Sequence, residues 1–90
     1  MLGTVAFTRR DYSTAERHLN RTVALYQELD VPAGVAAATY NLALIAIARN
    51  DMPDARVKLE QSLAVFQGEG LTHAKEVDLI RQTLAKIQGR

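Results

Sequence analysis

Two histidines, His18 and His73, are the side chains best suited by type to proton transfer or zinc binding. They stand in different segments, the chain has no cysteine, and no carboxylate cluster lies beside either imidazole to complete a ligand set. Ser13 and Ser62 lack the Gly-x-Ser-x-Gly turn that strains a nucleophile into exposure. Gly68 and Gly70 come after a helical pattern and are followed by no Lys-Ser/Thr, so they make no phosphate loop. Asn20-Arg21-Thr22 spells a glycosylation acceptor, but it falls in mid-helix pattern and no secretion signal accompanies it. These types and spacings predict a non-enzymatic chain with no catalytic, cofactor or metal site. Arg9, Arg10, Arg17 and Arg21 could join His18 in a basic face. Asp11, Glu16, Glu28 and Asp30 offset them over the same region, so a solvated helix surface is expected and nucleic-acid binding is not.

The totals fit that reading. A formal charge of +1 with both signs interspersed excludes a polyanion-binding tail. Ninety residues form one small domain, 1–90, that buries only part of its apolar surface. Without cysteine no disulfide framework exists, which is compatible with the expected cytoplasmic location. The opening Met1-Leu2-Gly3-Thr4-Val5 lacks the basic and long apolar regions of a signal peptide. The stretch from Val31 to Ala48 is uncharged and approaches the ~20 residues of a membrane span. It also holds Pro32, Gly34, Thr39, Tyr40, Asn41 and many alanines, which suits the centre of a helical domain better than lipid.

What must position any functional surface is an internal repeat. At a shift of about forty residues, Leu2 meets Leu42, Ala6 meets Ala46, Arg9 meets Arg49 and Asp11 meets Asp51. The match continues with Ala15 and Ala55, Leu19 and Leu59, Ala24 and Ala64, Gln27 and Gln67. Conservative pairs lie between: Val5 with Ile45, Thr22 with Ser62, Val23 with Leu63, Tyr26 with Phe66. A repeated period of this length marks stacked supersecondary units.

Each unit reads as two helices. Val35–Arg49 ends at the turn pair Asn50-Asp51, and Asp51 caps a second helix with Pro53 and Asp54 in its first turn. That helix carries the stripe Ala55, Leu59, Leu63, Phe66 and closes at Gly68-Glu69-Gly70. In the first unit Asp11 or Ser13 caps, with Glu16 completing a capping box, and Ala15, Leu19, Val23 and Tyr26 form the stripe. A fifth helix, Thr72–Gln88, carries Val77, Ile80, Leu84 and Ile87. Small residues at Ala6, Ala15, Ala46 and Ala55 let paired helices approach, and Leu19 and Leu59 fill the space between units. A single hairpin cannot bury both faces, so each unit is its neighbour's partner.

The residues Leu2-Gly3, Ala6, Arg10-Asp11-Tyr12, Ala15, Leu19, Thr22 resemble the tetratricopeptide-repeat signature. So does the second copy, Leu42-Ala43, Ala46, Asn50-Asp51-Met52, Ala55, Leu59, Ser62. The forty-residue spacing is similar to the extended repeats of bacterial regulators, signal-transducing ATPases and peptide-pheromone sensors. The first-helix tryptophan is absent, and unit one begins almost at its Leu-Gly pair. The resemblance implies an all-α fold: antiparallel helix hairpins stacked as a short right-handed α-solenoid of about five helices. Unit one spans about 1–31, truncated at its amino end, and unit two about 32–70. Residues of about 71–90 form either a capping helix or a partial third unit, with Gln82-Thr83 where leucine and glycine belong.

In that family the concave face of the first helices binds peptides or helices. Projected here, the face comprises Thr4 and Phe7, then Ala37, Tyr40, Asn41, Leu44 and Ile47, then Val77, Ile80, Arg81 and Leu84. Asn41, with Arg81, is too little for the carboxylate clamp of some members. The resemblance therefore implies a protein-interaction module whose apolar groove takes a peptide or amphipathic helix of a partner. The alternatives are self-association by stacking or groove exchange, and a sensory or scaffold segment of a larger ATPase or transcription regulator. No cofactor and no membrane contact are expected.

Overall fold

Pro32 fixes the φ that a helix's first turn requires, and its missing N–H would have been unsatisfied there in any case. A computed structural model, which describes residues 12–68 and 74–88, starts a helix at that residue. Four helices make up the described residues: α1 (Tyr12–Glu28), α2 (Pro32–Ala48), α3 (Met52–Gly68) and α4 (Ala74–Gln88). The class is all-α. The first of the five expected helices falls on residues outside the described ones, as do Ala6 and Phe7.

Both short connections are built alike. Asp30 (φ 57°) and Asn50 (φ 64°) adopt the left-handed conformation, which Asn and Asp tolerate better than other non-glycine residues. Around them the Val31 N–H donates to the Tyr26 carbonyl at 2.9 Å and the Asp51 N–H to the Ala46 carbonyl at 2.8 Å. The Asp30 and Asn50 N–H groups reach Gln27 and Ile47. This is the paired bonding that satisfies the last carbonyls of a helix. Asp51 then caps α3 as expected, its Oδ1 accepting the Asp54 N–H at 3.4 Å. Asp54 holds Lys58 one turn on, at 2.7 Å.

The capping box expected at Ser13 and Glu16 is not what forms. The helix already includes Tyr12, so Ser13 lies within its first turn. Both side chains turn to Arg49, whose Nη1 donates to Glu16 Oε1 at 3.2 Å and Nη2 to Ser13 Oγ at 3.4 Å. Arg49 offers a fixed charged fork to two acceptors across the gap between helices, and that displaces the local reciprocal bond. Asp11, the other capping candidate, lies outside the described residues.

The contacts give the helix directions. The end of α2 (Arg49) meets the start of α1, while the end of α1 (Tyr26) meets the start of α2 (Gly34), so the two run antiparallel. Ser62 late in α3 donates its hydroxyl to the carbonyl of Ala36 early in α2, at 3.0 Å, so these are antiparallel too. Each helix packs on its chain neighbours, most extensively α2 with α3.

The main core lies among α2, α3 and α4: Ala36, Ala43 and Ala46 meet Ala55, Leu59 and Phe66, then Ile80, Leu84 and Ile87. Ala43, Ala55 and Leu59 are wholly buried, which is the close helix approach that small residues permit. Ala38, Leu42 and Ile45 are buried on the other side of α2, outside that cluster. A helix buried on both sides explains the uncharged stretch 31–48. Among the described residues no helix is long and apolar enough to cross a membrane.

The last described helix, α4, buries Ile80, Leu84 and Ile87 on one face and leaves Gln82 exposed and Thr83 half-buried.

Candidate functional site

Side chains on the middle of α2, the first half of α4 and the last turn of α3 converge on an open hollow of about 230 Å³. Its lining is Ala37, Tyr40 and Asn41 from α2, Phe66 from α3, and Glu76, Leu79 and Ile80 from α4. The helix α3 packs on both α2 and α4 and supplies Phe66 where the hollow opens. Spacing produces the α2 wall: positions 37, 40 and 41 lie on one helical face.

Phe66 and Ile80 are almost wholly buried and form the floor. Tyr40 and Asn41 are half-buried, whereas Ala37, Glu76 and Leu79 are exposed at the rim. Leu79 is 49% exposed, a large apolar side chain left to solvent beside a concave surface. The site combines an apolar floor, an aromatic side wall, an amide and a carboxylate. Such a mixture can seat a large side chain and orient its polar neighbours by hydrogen bonds. Nothing in it resembles a nucleophile–base pair.

Of the residues projected onto the concave face, Ala37, Tyr40, Asn41 and Ile80 come together here. Leu44 is half-buried on α2, and Ile47 and Val77 are packed against the core. Leu84 is a buried core residue, so its apolar surface is spent inside the protein. Arg81 is exposed on α4. None of these five lines the hollow, and Thr4 and Phe7 lie outside the described residues. Helical spacing is the physical reason: Leu84 lies four residues after Ile80 and three before Ile87 and shares their buried face, whereas Glu76 and Leu79 stand exposed at the rim. Phe66, Glu76 and Leu79 line the hollow beyond the residues projected onto the concave face. The available signal was Leu79, an apolar residue off the Val77–Ile80–Leu84–Ile87 stripe.

A second, shallower hollow of about 160 Å³ is lined by Thr14, Arg17, His18 and Arg21 on one face of α1. All four are exposed, which is the ordinary state of a charged helix face. His18 is thus on the surface, and His73 lies outside the described residues. Among the described residues, no group of three or more His, Asp or Glu gathers where it could hold a metal ion. Comparison of the chain with protein-family models, with curated proteins and with solved structures finds no match.

Proposed function

We propose that the chain is a helical-repeat interaction module of tetratricopeptide-repeat type, and that the hollow between α2 and α4 binds an amphipathic helix of a partner protein. The observation that carries this reading is the hollow itself, where apolar Leu79 and the half-buried ring of Tyr40 stand open over a floor of Phe66 and Ile80. Burying such surface is favourable by about 25 cal/mol per Å² before ordering costs. A large apolar side chain of the incoming helix fills the floor, and Asn41 takes a polar group beside it.

Antiparallel packing of α2 with both α1 and α3 favours the repeat reading, as does the burial of both Ala15 and Ala55. On the same reading α4 caps the array. Its side away from the core presents Asp78, Arg81, Gln82 and Gln88, all exposed. A polar outer face is what terminal repeats need, and it disfavours end-to-end stacking of copies through α4.

The test is affinity capture with the wild-type chain and with Tyr40→Ala and Leu79→Arg as baits, each checked for retained helicity. Loss of the same captured protein from both folded variants is expected. Equal capture by all three would overturn the reading.

A further inference from the structure

We propose that the shallow hollow on α1 is a seat for a dianionic phosphate group, held by Arg17 and Arg21 with the Thr14 hydroxyl and the His18 imidazole beside them. These four residues line a space of about 160 Å³. Their spacing of three, one and three puts them on one helical face. Exposure of such a face is ordinary, but its composition is not.

The internal repeat supplies the comparison. Forty residues on, the same positions are Asp54, Val57, Lys58 and Gln61. There the single cation is answered on its own helix, with Lys58 Nζ 2.7 Å from Asp54 Oδ1. No acid lines the hollow on α1. Arg17 and Arg21 stand four apart, the spacing at which like charges repel across a helical turn. Neither forms an ion pair among the described residues. Glu16, the adjacent carboxylate, is engaged by Arg49 at 3.2 Å. Glu28 lies seven residues past Arg21, about 10 Å along the axis.

The chemistry of the ligand follows from the charges. Each guanidinium is a planar fork matched to paired oxygens, and the two together carry two positive charges. A phosphate monoester carries about −1.5 to −2 at pH 7, so one group balances both arginines, whereas a carboxylate balances one. A nucleic-acid backbone offers a single charge per phosphate, and no aromatic ring lines the hollow to stack a base. The Thr14 hydroxyl and a His18 N–H add donors for the remaining oxygens. This seat shares no residue with the hollow between α2 and α4, so the two proposals stand or fall separately.

The probes are inorganic phosphate, O-phosphoserine, acetate and a single-stranded deoxyoligonucleotide, each titrated at constant ionic strength into the isotope-labelled full chain and read by NMR. Saturable shifts at Thr14, Arg17, His18 and Arg21 are expected with phosphate and with phosphoserine. Tighter binding of phosphoserine would support a phosphorylated side chain as the source, and equal binding would support recognition of the free ion. Arg17→Gln and Arg21→Gln should each weaken binding about fivefold, the upper range for an exposed ion pair. Arg56→Gln, exposed on α3, should change it by less than about twofold. No saturable shift, shifts that acetate reproduces at equal concentration, or an equal loss from Arg56→Gln would overturn the proposal. So would tighter binding of the oligonucleotide than of phosphoserine, because the face would then read a polyanion.

Discussion

The ring of Tyr26 closes over Gly34 so tightly that a β-carbon at Gly34 would lie 2.6 Å from both Cγ and Cδ1 of the ring. The last turns of α1 and the first turn of α2 can meet at that distance only because position 34 has no side chain. By intrinsic propensity a glycine weakens a helix. In the fold it sets how closely two helices approach.

Gly34→Ala therefore tests the packing directly. Alanine is the better helix former by about 1 kcal/mol, so local propensity alone predicts stabilisation. The clash at Cγ, near the root of a ring that cannot swing away cheaply, predicts a net loss of about 1–3 kcal/mol. Thermal unfolding decides between them, and an unchanged or raised Tm would contradict the assigned contact.

Ser62 and Thr22 occupy equivalent repeat positions but bond differently. Ser62→Ala removes a buried bond between helices and should cost about 0.5–1.5 kcal/mol. Thr22→Ala removes only a bond to the residue's own helix and should stay within about 0.5 kcal/mol. Urea unfolding of the two variants side by side would show the difference; equal losses would mean that the hydroxyls act alike.

Ala55 is wholly buried where α3 crosses α2. Ala55→Leu should overpack that crossing and destabilise by about 1–3 kcal/mol. An unaltered midpoint in thermal unfolding would refute the crossing.

Asp30 holds a left-handed φ of 57° at the end of α1. Asp30→Gly relieves that conformation and should leave the chain as stable or more stable. Asp30→Val should cost about 1–3 kcal/mol, because a β-branched residue is strained there. The measurement is denaturant midpoint for both, and a more stable Val variant would contradict the turn geometry.

Much of this architecture is legible in residue order because it depends on local rules. Pro32 at a helix start, Asp51 as a cap and the small–large alternation of Ala55, Leu59 and Phe66 act within a turn or two of their own position. The misses share a different origin. Arg49 reaches Glu16 and Ser13 from another helix, so no local pattern could reveal that it would take the capping pair apart. Leu84 shares the buried face of Ile80 and Ile87 while exposed Leu79 stands off it, a division set by how α4 packs on α3 rather than by residue order alone. Ala37, Tyr40 and Asn41 share the hollow because positions three and four apart lie on one face of α2.

The central claim, that the hollow between α2 and α4 receives a partner helix, is tested most directly by a photo-crosslinking amino acid placed at Leu79 and, as a control, at Val57 on α3. The account predicts a covalent adduct with another protein from position 79, lost when Tyr40→Ala is added, and none from position 57. Equal adducts from both positions, or an adduct at 79 indifferent to Tyr40, would contradict it.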